Sequence, residues 1–178
     1  MTRRLVMLVP LALLLVAGAP AAAQQRSHAG LGGGVILPSG DAADFFDEGW
    51  GLVVFGRSSY RRSAAGGQLD FQYWNVPGAL SSDATDIFAF TFNVVVTFPQ
   101  REDAKLKFYL LGGIGFYSVN GPVFDTWPFG LNGGGGVELA LKGAKTALFA
   151  DARFHNLFTE GSDVQFLPIN AGLKFRVR

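Results

Sequence analysis

The sequence predicts an all-β protein, an eight-stranded antiparallel up-and-down transmembrane β-barrel. Three observations carry the prediction. Eight segments alternate large apolar residues with polar or glycine residues, and each is ten residues or longer. The connections between them alternate long and short. No stretch of useful length repeats with a helical period, so helical crossovers, and with them parallel β-α-β units, are not expected.

The segments run over 28–37, 49–58, 65–75, 86–98, 104–117, 128–141, 146–156 and 165–177. Soluble strands are typically about five or six residues long, whereas a strand crossing a bilayer needs about 9–11. The first two segments contain LGGGVIL and WGLVVFG, too uniformly apolar to orient. In the third, Leu69, Phe71 and Tyr73 oppose Gln68, Asp70, Gln72 and Trp74. The fourth, DIFAFTFNVVVTF, sets Phe88, Phe90, Phe92, Val94, Val96 and Phe98 against Thr91, Asn93 and Thr97. The fifth opposes Leu106, Phe108, Leu110, Ile114 and Phe116 to Lys107, Tyr109, Leu111, Gly113, Gly115 and Tyr117. In the sixth, Phe129, Leu131, Val137, Leu139 and Leu141 oppose Gly130, Asn132, Gly134, Gly136 and Glu138. The seventh sets Leu148, Ala150, Ala152 and Phe154 against Asp151, Arg153 and His155. In the eighth, Leu167, Ile169, Ala171, Leu173, Phe175 and Val177 oppose Pro168, Asn170, Gly172, Lys174 and Arg176.

Alternation defines two faces but does not say which is wet. Volume decides. An eight-stranded barrel has room for little more than its own side chains. Small and polar faces inside fit that bore, so the Phe- and Leu-rich faces are expected to meet lipid. Closure leaves no strand edge unpaired, which is what a hydrocarbon environment requires of the backbone. Trp50, Tyr73, Phe98, Phe116 and Trp127 sit near strand ends, where interfacial aromatics belong; each also suits plain loop anchoring.

The long connections are SGDAADFFDEG, PGALSSDATD, VNGPVFDTWP and LFTEGSDV; the others are SSYRRSA, PQRED and KGAK. Asp41, Asp44, Asp47, Glu48, Asp83, Asp86, Asp125, Glu160 and Asp163 lie in or beside the long set, with no Lys or Arg among them. Arg57, Arg61, Arg62, Arg101, Lys105, Lys107, Lys142, Lys145, Arg176 and Arg178 lie at the other end. Short periplasmic turns and longer outer loops are the pattern of outer-membrane barrels. The acidic loops suit divalent cations or a surface partner, and equally suit plain solvation.

Met1 to Ala23 reads as a cleaved secretory signal peptide: Arg3 and Arg4, an apolar run from Leu5 to Val16, then APAAA. Residues 24–178 are then a single barrel domain. Without Arg3 and Arg4, 13 of the 15 Lys and Arg residues remain against 14 Asp and Glu, a net charge of −1. No basic patch suggests nucleic-acid binding. The absence of cysteine excludes disulfides and a lipid-linked cysteine.

No catalytic signature emerges. The glycines sit within strands and do not spell a phosphate-binding loop. His28 and His155 are not at zinc-ligand spacing. Asp151, Arg153 and His155 share a face, but no serine matches them. No enzymatic activity, metal or cofactor is expected. The candidate site is a polar network inside the barrel, built from Asp70, Lys107, Glu138, Asp151, Arg153 and Lys174. Lys107 and Glu138 are equidistant from the middle of their connecting loop, so hairpin pairing sets them face to face. Buried charges must be paired. Such a network either plugs the interior or gates a narrow water path.

GLGGGVILPSGD, LKFYLLGGIGFYS and the closing PINAGLKFRVR resemble the small outer-membrane β-barrel domain family, eight-stranded proteins related to the opacity proteins and to the membrane domain of outer membrane protein A. The resemblance covers nearly all of the chain after the leader. It implies a monomer in the bacterial outer membrane, surrounded by outer-membrane lipid and inserted by the outer-membrane assembly machinery. The chain departs from the terminal aromatic of such barrels, ending Phe175, Arg176, Val177, Arg178. The expected function is structural or interactive, with a polar lumen, acidic extracellular loops and an unidentified surface partner. Two alternatives stand beside it: a secreted soluble barrel of lipocalin type holding a small apolar ligand, and a narrow pore.

Overall fold

Residues with a two-residue period form extended strands, and here nearly every such run becomes one long ladder. A computed structural model describes residues 25–60, 63–79, 83–99, 104–121, 125–141, 145–159 and 163–177. The proposed leader, Arg61, Arg62, Arg101, Lys142, Glu160 and Arg178 lie outside them. The strands are β1 (Gln25–Ser39), β2 (Gly49–Tyr60), β3 (Ala65–Pro77), β4 (Ala84–Phe98), β5 (Leu106–Asn120), β6 (Asp125–Thr126), β7 (Phe129–Ala140), β8 (Thr146–Phe158) and β9 (Val164–Arg176). β6 is a two-residue extension that pairs only with the end of β5. The other eight pair antiparallel with their neighbours in turn, and β1 pairs with β9 to close the ring. The fold is therefore the eight-stranded antiparallel barrel expected.

The register fixes the tilt. Stepping across the ladders from His28 leads through Arg57, Gln68, Asn93, Gly113, Asn132, His155 and Phe166 back to β1 at Pro38, ten residues from the start. That stagger over eight strands corresponds to a tilt of roughly 40°, within the usual range for closed barrels. One end of the cylinder carries the connections rich in acids and the other the basic turns; they are called here the acidic and basic ends. At the acidic end the strands run further than the alternation alone suggests. Ala84 and Thr85 pair with Pro77 and Val76, and β5 continues to Asn120. The acidic loops are correspondingly shorter than expected. The loop after β1 begins with a 3-10 turn, Gly40–Asp44, entered through Gly40 at φ 58°, a left-handed conformation that glycine adopts without strain. It then folds back over the opening, where the Asp47 N–H donates to the Pro77 carbonyl at 2.9 Å.

The outer surface is an apolar band. Phe90, Phe92, Val94, Val96 and Phe98 of β4 all point outward, with Phe92 51 % exposed. Leu31, Leu52, Val54, Leu110, Ile114, Leu131, Leu148, Phe154 and Ile169 continue the band around the cylinder. The two segments that could not be oriented from sequence resolve the same way: Ile36, Val53 and Phe55 point in, while Leu31, Val35 and Leu52 point out. Aromatics gather at both edges of the band. Trp50 packs edge-on against Tyr73, and Phe116, Phe129 and Phe158 form a chain at the acidic end. Phe98 stacks on Phe108 at the basic end.

Candidate functional site

The site is the barrel interior, and it is layered. Ile36, Trp74, Val76, Ile87, Ala89, Tyr117, Val119, Leu157 and Phe166 form an apolar cap beneath the acidic loops, with Phe46 from the first loop packed on it. Phe46 and Phe166 have ring centroids 5.9 Å apart. His155 belongs to this cap: its ring stands edge-on to Trp74 at 4.9 Å, and its Nδ1 lies 2.8 Å from the Tyr117 hydroxyl.

Below the cap lies an ion cluster. The Arg153 guanidinium, fully buried, donates from Nη1 to Asp70 and from Nη2 to Asp151, each at 2.8 Å. Asp70 also accepts from Gln68 Nε2 and Asn93 Nδ2, both at 2.7 Å. Asp151 accepts from the Tyr109 hydroxyl at 2.7 Å and from Asn170 Nδ2 at 3.4 Å. Two carboxylates against one guanidinium would be a costly excess of charge if the neutral donors were missing.

An aromatic layer follows, with Phe55 edge-on to Phe149 at 5.2 Å. Rings fit across so narrow a bore because the facing strands carry glycine. A Cβ on Gly32 or on Gly172 would stand 2.8 Å from the Phe149 ring, too close for any side chain. At the basic end a second ion cluster closes the sequence of layers. Glu138 accepts from Arg57 Nη1 at 2.5 Å and from the Lys174 ammonium. Arg57 also donates from Nε to Gln68 Oε1 and lies over the Tyr109 ring at 4.6 Å, so Gln68 and Tyr109 touch both clusters.

The six residues singled out from sequence therefore divide. Asp70, Asp151 and Arg153 meet in one cluster, and Glu138 and Lys174 in the other. Lys107 faces Glu138 across the β5–β7 ladder, as the hairpin spacing implies. It does not hold the carboxylate, which Arg57 and Lys174 occupy. The reason is geometric: inward side chains meet across the bore at equal height, and the tilt brings β2 and β9 level with Glu138. Arg57 is the interior residue that sequence reasoning did not single out: it was assigned to the basic end, where it lies, but not to the lumen. Its signal was present in its shared parity with Val53 and Phe55, but that segment had too little polarity to show which side was inside. The lumen expected to be polar is so only in part, since the apolar cap and the Phe55–Phe149 layer share it with the two ion clusters.

Comparisons with known proteins bear on what this cylinder is. No curated protein sequence matches the chain. Among solved structures it is similar to Neisserial surface protein A, with a TM-score of 0.62 at 14 % identity over 85 % of this chain and 96 % of that one. It is also similar to Ail, the attachment invasion locus protein of Yersinia pestis, solved in complex with the heparin analogue sucrose octasulfate. There the TM-score is 0.51 at 15 % identity, over 85 % of this chain and 98 % of that one. Identities this low speak for a shared fold alone. The family model of the outer membrane protein beta-barrel domain, by contrast, matches residues 9–176. That match spans nearly the whole sequence and falls on a chain whose strands close into one apolar-coated cylinder, so the protein belongs to the outer membrane protein β-barrel domain family.

Proposed function

We propose that this protein is a monomeric, non-enzymatic barrel of the bacterial outer membrane with a structural or interaction role. Its leader, residues 1–23, would be cleaved on export to leave residues 24–178 as the single barrel domain, which the outer-membrane assembly machinery then inserts. The observation that carries the reading is the pairing of an unbroken outward apolar band with an interior filled by its own side chains. A soluble lipocalin-like barrel would need the reverse, with its phenylalanines around an internal cup. The basic end would face the periplasm and the acidic loops the exterior.

Cell fractionation tests the location. The protein is expected in the outer-membrane fraction and to migrate on a denaturing gel at different positions before and after heating. Release into the soluble periplasm without detergent would overturn the membrane reading.

The interior supports a plug over a pore. Trp74, Tyr117, His155 and Phe166 fill the acidic end, and water does not readily wet an apolar constriction. Planar bilayers containing the purified protein are expected to show no conductance steps, and Glu138→Gln is expected to change nothing. Steady steps that Glu138→Gln alters would instead establish a gated pore.

Recognition would then fall to the outer loops. Ail was solved in complex with a heparin analogue, sucrose octasulfate. Here Asp41, Asp44, Asp47 and Glu48 set a negative field on the first loop, so a surface partner would be cationic.

A further inference from the structure

We propose that the mouth of the barrel at the basic end is a binding site for a small phosphate-bearing anion. A cavity of about 160 Å³ opens there between β1, β5, β7, β8 and β9. Lys105, Lys107, Lys145, Lys174 and Arg176 line it, against one carboxylate, Glu138. That carboxylate is already held by Lys174 and by Arg57 from the far wall. Among the described residues no acid pairs with Lys105, Lys107, Lys145 or Arg176. Four cations thus line one concavity without a carboxylate partner among the described residues, which leave out Glu102 and Asp103.

The rim is built rather than loose. The Ala140 N–H donates to the Lys105 carbonyl and the Arg176 N–H to the Lys145 carbonyl, each at 2.7 Å. The Leu141 N–H donates to the Thr146 carbonyl at 3.0 Å, closing the β7–β8 turn. These bonds hold the backbone of Lys105, Lys145 and Arg176 at the edge of the cavity, while Lys107 enters from within β5. Concave walls of low dielectric concentrate a field of one sign, so the mouth attracts anions more strongly than the same charges spread on a flat surface.

Size and chemistry narrow the ligand. The cavity is well below the roughly 300–1,000 Å³ of sites for drug-sized molecules, so it suits an inorganic or headgroup-sized anion. Lysine ammoniums act as point charges without the planar fork of arginine. The site would read charge density, which favours phosphate over a single carboxylate, with little demand on shape. The same chemistry is offered by a soluble phosphate compound in the periplasm and by the phosphate of a lipid headgroup at the inner leaflet.

The test uses the full barrel in neutral detergent micelles, titrated with inorganic pyrophosphate at low ionic strength in a calorimeter. Saturable binding is expected. It should weaken by about tenfold or more in the double variant Lys107→Gln/Lys145→Gln and fall again as salt approaches physiological strength. A gel shift on heating shows that the variant is folded. Repeating the titration in nanodiscs separates the sources. Pyrophosphate binding equal in pure phosphatidylcholine and in phosphatidylglycerol-containing discs identifies a soluble ligand. Binding in phosphatidylcholine that phosphatidylglycerol competes away identifies the lipid headgroup. Absence of saturable heat in micelles, or binding by the folded double variant as tight as by the parent, would overturn the proposal.

Discussion

Arg153→Met is expected to cost the folded barrel about 3–5 kcal/mol, the penalty for stranding buried charge by removing one partner. The substitution keeps length and most of the volume, so packing changes little. What changes is that Asp70 and Asp151, both buried, lose the only cation bonded to them among the described residues. The remaining donors, from Gln68, Asn93, Tyr109 and Asn170, satisfy lone pairs but carry no charge. Urea unfolding in lipid vesicles, followed by tryptophan fluorescence, measures the loss. The triple variant Asp70→Asn/Asp151→Asn/Arg153→Met supplies the control. Removing the whole charged cluster is often close to neutral, so the triple variant should recover much of the stability. If Arg153→Met alone proves as stable as the parent, the cluster contributes nothing to holding the interior.

The second large effect belongs to the outside. Phe92 lies midway between Asp86 and Phe98 on the outward face of β4, and Phe92→Arg is expected to cost about 2–4 kcal/mol in a bilayer. The same change at Phe98, at the edge of the band, should cost only about 0–1 kcal/mol, because the guanidinium reaches the headgroups there. Depth dependence is the informative part, since a soluble barrel would show no such gradient along one face. Equal costs at Phe92 and Phe98 would count against a membrane running around the middle of the cylinder.

Much of the architecture was legible in the sequence because a strand writes its two faces into alternate residues. Phe88 to Phe98, Leu106 to Phe116 and Leu167 to Phe175 each announced an apolar face, and the structure turns those faces outward. The interior was legible only in part. Asp70, Asp151 and Arg153 were recognisable as inward charges, because they share parity with polar or small neighbours. Which of them meet was not, since their contacts span the bore and join strands far apart in the chain. Glu138 shows the difference. Local pairing puts Lys107 opposite it, yet Arg57 and Lys174 hold it. Trp74 and Tyr117 likewise carried the parity of an inward residue, but nothing local revealed that they would combine with Ile36, Leu157 and Phe166 into an apolar cap.

The sequence by itself determined the strands, their two faces and the segregation of acidic from basic turns, all of which follow from a period of two and from local turn chemistry. Only the tertiary structure decided the stagger of ten residues around the ring, and with it which inward side chains stand at the same height. That stagger places Arg57 and Lys174 on Glu138, sets Arg153 between two aspartates and leaves Lys107 at an open mouth. Closure is a property of all eight ladders together, so no single segment can encode it.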